Sequence, residues 1–322
     1  MIRTENLTKR YANDFVALDN LNMEIRKGEI FGYVGPNGAG KTTTIRILCG
    51  LLKPTSGRAV IGDHDISGNV RKLRRLTGYL PDTFGVYEEM RVWEYLDFFG
   101  ACFRIPRRRR RERIDEVLSI TRSEAMRDYF VDTLSHGMRQ RIGIAKTLMH
   151  DPQVLFLDEP TNGLDPRARI EMRTLIKELA ALGKTILVSS HILPELASVC
   201  DRVGILEQGV MLAQGTVEDI MKKVNPHRLV ELQFAGGDGA VRKLSDELKE
   251  AGDIQNPCLQ GDILQFEIRG DDQQMAGLLR RFVEAGVEVT RYQEEQADLE
   301  KAFLRVTDNA AAGARRTDGD KH

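Results

Sequence analysis

The sequence predicts an α/β fold with a mostly parallel sheet, followed by a small α+β domain. An apolar strand, Ile30 to Val34, leads into a glycine-rich loop and a helix, and strands and helices alternate again between 135 and 189. From about 225 the predicted order changes to β-α-β-β-α-β-α, which is typical of a ferredoxin-like domain. At 322 residues the chain is long enough for both domains.

The composition excludes several classes of protein. With 41% hydrophobic and 30% charged residues, the chain is expected to be globular and not disordered. A formal net charge of -1 gives no overall field that would steer it to nucleic acid. The four cysteines lie far apart, so neither a zinc site nor a disulfide framework is expected. Because the N-terminus lacks an apolar signal core and no apolar run is long enough to span a bilayer, we expect the chain not to cross a membrane alone.

Three segments make up the first domain, which we expect to cover 1–224. Residues 1–62 contain short strands broken by turns, which predict an antiparallel β subdomain beside the first parallel strand. Residues 84–134 are charged and helical, with one apolar stripe on Trp93, Leu96, Phe99 and Phe103 and another on Ile114, Val117 and Leu118, so we expect an inserted helical lobe. The alternation of helices and strands then resumes from Ser135.

The glycine-rich loop after the first parallel strand is predicted to bind phosphate. It matches the pattern G-x-x-x-x-G-K-[ST] through Gly35, Pro36, Asn37, Gly38, Ala39, Gly40, Lys41 and Thr42. Glycines let successive backbone N–H groups point at an anion, and the helix N-terminus adds a favourable dipole. Lys41 is expected to reach the β- and γ-phosphates of a nucleotide, and the Thr42 hydroxyl to ligate Mg²⁺. The alternative is a chance glycine-rich turn, which the flanking strand and helix count against.

A second apolar strand, 154–160 with the sequence VLFLDEP, ends in two carboxylates. Adjacent acids are costly to bury without a partner, so packing alone does not account for them. Asp158 is expected to complete the Mg²⁺ shell, and Glu159 to accept a proton from the attacking water or to orient it. Two solvated acids at a strand end are the alternative.

Together these motifs resemble the ATP-binding cassette family, which has a P-loop NTPase core. The stretch LSHGMRQ from Leu134 resembles the family signature LSGGQ, Gly163 to Pro166 is similar to its D-loop, and His191 follows a strand as the family's switch histidine does. Tyr11 stands where the family often stacks an aromatic ring on adenine. Taken singly, Tyr11 could be a core residue, His191 a structural histidine and Ser135 a helix N-cap. The resemblance covers residues 1 to about 220.

The resemblance implies a homodimer that hydrolyses ATP with Mg²⁺. One subunit's phosphate loop, extended by Thr43, and the other's signature would close over the same ATP, with Ser135, Gly137 and Asp165 acting across the dimer. His191 would contact the γ-phosphate and hold the water and Glu159 in line. A capped helix N-terminus beside Gly137 is physically a second anion site.

Two segments depart from the family pattern. His136 and Met138 replace Gly and Gln in the signature, so side-chain contacts usually made there are not expected, whereas backbone contacts could remain. Asp82 stands where the family carries a glutamine that senses bound Mg²⁺ and couples the nucleotide site to the membrane domain. Asp82 also offers oxygen ligands, but it is shorter and charged, so we expect altered metal affinity and coupling.

The resemblance further implies a separate transmembrane permease, with the chain on the cytoplasmic face of the inner or plasma membrane and no nucleic-acid partner. Such cassettes typically receive the permease's coupling helix after Asp82, where the candidates are Phe84, Val86, Tyr87 and Trp93. Trp93 could equally pack in the core. The basic run 107–111 is predicted to be a solvated helix face, with acidic lipid headgroups or an acidic loop of a partner as alternatives.

The C-terminal region, 225–308, resembles the appended domain of bacterial cassettes with separately encoded permeases, mostly exporters. Its last predicted helix begins at Leu299 within the stretch Asp298 to Phe303, and 309–322 is expected to be a disordered tail. One competing function is a soluble cassette acting on ribosomes or nucleic acid, but these usually carry two cassettes or a long coiled coil. The other, a cassette that binds ATP without turnover, is disfavoured by Glu159 and His191.

Overall fold

The computed structural model describes residues 1–12, 14–85, 87, 89–224, 228–269 and 272–294, with 221–224 described by their backbone alone. Two compact units divide the chain, Met1–Val217 and Glu218–His322. This division precedes the expected boundary at 224, and the helix Val217–Val224 occupies the interval. Val86, the helix expected from Leu299, the stretch Asp298 to Phe303 and the tail 309–322 lie outside the described residues.

The first unit combines an antiparallel and a mostly parallel sheet. Its strands are β1 (Ile2–Arg10), β2 (Val16–Ile25), β3 (Ile30–Val34), β4 (Ser56–Ile61), β5 (His64–Asp65), β6 (Thr77–Leu80), β7 (Val154–Asp158), β8 (Thr185–Ser190), β9 (Arg202–Glu207) and β10 (Val210–Gly215). The antiparallel sheet has the order β2-β1-β4-β5, and the other sheet has the order β10-β9-β3-β8-β7-β6. In the second sheet only β10 pairs antiparallel. The predicted fold class is confirmed.

Helices cover the parallel sheet and form the lobe. They are α1 (Lys41–Leu48), α2 (Val70–Leu76), α3 (Val92–Cys102), α4 (Arg107–Ile120), α5 (His136–Leu148), α6 (Pro166–Ala181) and α7 (Leu193–Ala197), and α8 (Val217–Val224) follows at the division between the units. Every residue of β3 and of β7 is buried, which explains why both strands are apolar on both faces. Among the described residues, none of these helices combines the length and apolarity needed to cross a lipid bilayer.

The helical lobe confirms one predicted stripe and corrects the other. On α4, Ile114, Val117 and Leu118 are buried as expected. On α3, the buried residues are Val92, Tyr95, Leu96 and Gly100, whereas Trp93 is 37% exposed. Successive helix residues turn by about 100°, so the phase that buries Val92 and Leu96 rotates Trp93 to the surface. The core role considered for Trp93 is therefore wrong.

The arginine run 107–111 forms ion pairs along the start of α4. Arg110 makes a two-pronged contact with Asp97 of α3, at 2.6 and 3.1 Å, which ties the two helices together. Arg109 pairs with Glu112 and Glu116 of its own helix. The other four arginines of the run are exposed, as predicted for a solvated helix face, whereas Arg110 is half-buried against α3.

The second unit has a ferredoxin-like arrangement. Its elements are β11 (Arg228–Ala235), α9 (Gly239–Glu250), β12 (Gln255–Gln260), β13 (Ile263–Ile268), α10 (Asp272–Glu284) and β14 (Glu288–Glu294). The sheet order β12-β13-β11-β14 is antiparallel throughout, as in a split β-α-β fold. Alternate residues of β11 face the core, namely Val230, Leu232 and Phe234, so the predicted alternation is confirmed.

Candidate functional site

Four neighbouring parallel strands end at one edge of the sheet, in the order β3, β8, β7 and β6. The phosphate loop follows β3, His191 follows β8, Glu159 follows β7, and Asp82 lies just beyond β6. Ligands of open α/β sheets bind at this carboxyl edge. The parallel order therefore brings together side chains that lie more than a hundred residues apart in the chain.

The glycines of the phosphate loop are required for different structural reasons. Gly38 and Gly40 adopt positive φ angles of 84° and 109°, which disfavour a residue with a Cβ. At Gly35 a Cβ would lie 2.3 Å from the Leu206 carbonyl oxygen, so any side chain would clash with the backbone. Gly40 is the N-cap of α1 and supplies no side-chain acceptor, which leaves the first N–H groups of the helix available to an anion.

Glu159 lies between Lys41 and His191. Lys41 Nζ is 3.2 Å from Glu159 Oε1, and His191 Nδ1 is 3.0 Å from Glu159 Oε2. Lys41 Nζ also donates to the Gly35 carbonyl oxygen at 2.5 Å. The Lys41 and Glu159 side chains are only 6% and 12% exposed, so each compensates the other's charge in a poorly hydrated position. The arrangement places a carboxylate and an imidazole beside the phosphate loop.

Asp158 is held by two hydroxyl groups. Thr42 donates to its Oδ2 at 2.9 Å, and Ser189 donates to its Oδ1 at 2.7 Å. The Glu159 N–H in turn donates to Ser189 Oγ at 3.1 Å. Ser189 is the register partner of Asp158 between β7 and β8, and it was not among the predicted site residues. The signal that could have found it is the polar end of an otherwise apolar strand.

Glu159 has an unusual backbone conformation, with φ at 51°. A non-glycine residue in the left-handed region costs about 1–3 kcal/mol and is concentrated at functional sites. This conformation turns the chain from the end of β7 into Pro160. The Asn162 N–H then donates to the Glu159 carbonyl oxygen at 3.1 Å.

A cavity of about 250 Å³ opens above the phosphate loop. It is lined by Phe15, Ala17, Pro36, Asn37, Gly38, Ala39, Gly40, Lys41, Thr42, Thr43, Asp82 and Glu159. Phe15, which is 52% exposed, was missed by the sequence analysis. The Tyr11 ring stacks on the Phe15 ring, with the ring centroids 6.4 Å apart. The Tyr11 hydroxyl lies 3.4 Å from Thr43 Oγ1. Two aromatic rings thus stand beside the phosphate loop.

The residues expected to act across the dimer, from the signature and the D-loop segment, lie at the starts of two helices. Ser135 is the N-cap of α5 and accepts from the Met138 N–H at 3.4 Å, and Asp165 is the N-cap of α6 and accepts from the Ala168 N–H at 2.9 Å. The capping role considered for Ser135 is confirmed. Within the part of the chain that the structure describes, the cavity lining contains none of Ser135, Gly137 and Asp165. Their action across a dimer stays a prediction.

Asn162 connects His136 and Asp82, which lie in the two segments that depart from the family pattern. Its Nδ2 donates to Asp82 Oδ1 at 3.1 Å, and its carbonyl oxygen lies 2.9 Å from His136 Nε2. Since a carbonyl only accepts, the imidazole Nε2–H is the donor. No local sequence pattern identifies this residue.

Comparison with known families agrees with these motifs. Residues 18–162 match the family model described as ABC transporter. Residues 131–198 also match a model described as AAA domain, putative AbiEii toxin, Type IV TA system.

The chain is similar to many curated proteins and solved structures, among them the following three. The Nod factor export ATP-binding protein I of Cupriavidus metallidurans is 34% identical over 312 residues, 95% of this chain and 97% of that protein. The probable multidrug ABC transporter ATP-binding protein YbhF of Escherichia coli is 38% identical over 220 residues, 68% of this chain but only 38% of that protein's length. A dimeric post-hydrolysis ATP-binding cassette bound to ADP and Pi has a TM-score of 0.62 and 27% identity, covering 67% of this chain and 99% of that one.

Proposed function

This chain belongs to the ATP-binding cassette family of transporter ATP-binding proteins, and from that membership we propose that it hydrolyses ATP to energise export through a separate membrane permease. The observation that carries the proposal is the Glu159 carboxylate, held between Lys41 of the phosphate loop and His191. A base, a cation for phosphate and an orienting imidazole are the groups that phosphoryl transfer to water requires. Export is the activity in the name of the Nod factor relative, and it comes to this chain as part of the proposal.

The contacts of Glu159 indicate how nucleotide binding would start the reaction. Lys41 Nζ contacts Glu159 Oε1, and a γ-phosphate would compete for the same ammonium group. Once Lys41 turns to the phosphate, Glu159 Oε1 becomes available to accept a proton from water, while His191 keeps Glu159 Oε2 in place. The first N–H groups of α1 would hold the remaining phosphate oxygens.

Mg²⁺ fits the oxygen donors at this edge. Thr42 Oγ1 and Asp158 Oδ2 lie 2.9 Å apart, and Asp82 lines the same cavity. Mg²⁺ prefers oxygen ligands and is usually bound through one or two carboxylates together with substrate phosphates. When bound, the ion would neutralise charge on the β- and γ-phosphates. Ser189 keeps Asp158 oriented toward Thr42 through its other oxygen.

A homodimer would complete the site. The cavity has a volume of about 250 Å³, whereas ligand pockets usually measure roughly 300–1,000 Å³. A second surface is therefore expected to close the site. Ser135 and Gly137 stand at the start of α5, where backbone N–H groups could bind phosphate from the partner's ATP. The similar dimeric cassette with ADP and Pi supports this arrangement.

The exposed aromatic residues of the lobe are the proposed permease contacts. Tyr87, Trp93 and Phe98 are all exposed on the lobe, and Tyr87 meets Phe98 edge to face at 5.4 Å. Aromatic residues are enriched at protein interfaces. Lys146 of α5 lies 4.6 Å from the Phe84 ring centroid, and burial lowers the pKa of its ammonium to about 8. Through this contact the chain would sit on the cytoplasmic face of the membrane.

The proposed function is tested by assaying the chain with candidate partners. We expect Mg²⁺-dependent ATPase activity that changes when the co-purifying membrane protein is added in lipid vesicles, because the permease controls closure of the dimer. Steady-state phosphate release is the measurement, with the Glu159→Gln variant as the inactive control. Stimulation by ribosomes or nucleic acid, without any effect of the membrane protein, would favour the soluble cassette instead.

The two aromatic rings provide a separate prediction about adenine. Replacing Phe15 or Tyr11 by alanine is expected to weaken ATP binding by roughly 10-fold, because stacking on a base contributes about 1–3 kcal/mol. Isothermal titration with ATP and with inorganic tripolyphosphate, which has no base, distinguishes the causes. Tripolyphosphate affinity should stay constant. An equal loss for both ligands would show that the rings support the phosphate loop and do not hold adenine.

A further inference from the structure

On the basis of the proposed function, we propose that Asn162 and His136 are positioning residues that hold Asp82 at the phosphate cavity and thereby set the concentration of Mg²⁺ that nucleotide binding requires. The inference goes beyond the family pattern because His136 and Asp82 are both departures from it. The structure places them on either side of one residue.

The first step is the contact between Asn162 and Asp82. Asn162 Nδ2 donates to Asp82 Oδ1 at 3.1 Å, and Asp82 lines the cavity together with Lys41 and Thr42. A hydrogen bond to one carboxylate oxygen restricts rotation of the short side chain and leaves the other oxygen for a ligand. The amide donor also offsets part of the negative charge that Asp82 brings toward the phosphates.

The second step is the support of Asn162 itself. Its N–H donates to the Glu159 carbonyl oxygen at 3.1 Å, and its own carbonyl accepts from His136 Nε2 at 2.9 Å. The next residue, Gly163, has φ at 68°, and a Cβ there would lie 3.3 Å from His136 Nε2. The imidazole therefore packs closely against this turn. Asn162 joins the end of β7, the segment after β6 and the start of α5.

The consequence is that His136 acts on the phosphate cavity through Asn162 and Asp82. Removing the imidazole would free the Asn162 carbonyl, and the turn would hold its side-chain amide less firmly against Asp82. Loss of one positioning hydrogen bond is expected to raise the Mg²⁺ concentration for half-maximal ATP binding by about 3- to 10-fold.

The test is a binding titration that does not depend on turnover. In a Glu159→Gln background, a fluorescent ATP analogue is titrated at a series of Mg²⁺ concentrations. His136→Ala, Asn162→Ala and Asp82→Ala should each raise the half-saturating Mg²⁺ concentration, because each removes Asp82 or a contact that positions it. In the His136→Gln variant, the half-saturating Mg²⁺ concentration should stay close to that of the parent, because the glutamine amide can donate to the same carbonyl oxygen.

The double variants decide the order of action. If His136 acts through Asp82, adding His136→Ala to Asp82→Ala should change nothing more. Full additivity, or an unchanged Mg²⁺ requirement in Asn162→Ala, would overturn the inference. His64→Ala, on the β4–β5 hairpin, is the matched control and should behave as the parent. An unmodified chain that binds no ATP at any Mg²⁺ concentration would overturn the proposed function, and the inference with it.

Discussion

Replacing Glu159 by glutamine is expected to lower ATP turnover by about 100-fold or more while ATP binding persists. Glutamine keeps the shape of the side chain and its reach to His191, but it cannot accept the proton of the attacking water. The substitution also removes the anion that contacts Lys41 Nζ at 3.2 Å, so the phosphates would no longer compete with it. ATP affinity should therefore be maintained or increased.

The same variant reports on the dimer. If hydrolysis is what reopens the two cassettes, the blocked variant should accumulate as a dimer in the presence of ATP and Mg²⁺, detectable by size-exclusion chromatography with light scattering. Glu178→Gln, an exposed carboxylate on α6 that pairs with Arg122, is the matched control and should leave turnover unchanged. Unchanged turnover in the Glu159→Gln variant would remove Glu159 from its proposed role.

Replacing Lys41 by alanine is expected to weaken ATP binding by about 100-fold or more. The ammonium group is the charged donor of the loop, and charge-assisted hydrogen bonds contribute about 1.5–3 kcal/mol each. Calorimetric titration with ATP and Mg²⁺ measures the loss. Lys53→Ala, on the segment after α1, is the control for removing a lysine charge without touching the loop.

Lys41→Ala also tests the buried ion pair. Lys41 is 6% exposed, and its removal leaves Glu159 with the hydrogen bond to His191 but without its buried cation. A carboxylate that loses its buried cation destabilises the fold, so the unfolding temperature should fall. Adding Glu159→Gln should recover much of that loss. ATP affinity equal to the parent's in Lys41→Ala would exclude the loop as the phosphate site.

The sequence by itself determined the local chemistry. The phosphate loop could be identified because its glycines fall within one motif of eight consecutive residues, and Gly38 and Gly40 adopt positive φ angles that favour glycine. The alternation of apolar and polar residues along β11 likewise predicted which side chains enter the core of the second unit, because successive side chains of a strand point to opposite faces of the sheet. Asp158 and Glu159 stood out because packing alone does not account for two acids at the end of an apolar strand.

Only the tertiary structure decided which distant side chains meet. The parallel register of β7 and β8 puts Ser189 against Asp158, and the shared edge of the sheet brings Asp82, Asn162 and His136 together. The phase of α3 likewise placed Trp93 at the surface. Such contacts depend on strand order, register and helix rotation, which arise from packing over the whole domain, whereas a motif of eight residues carries its geometry in its own backbone.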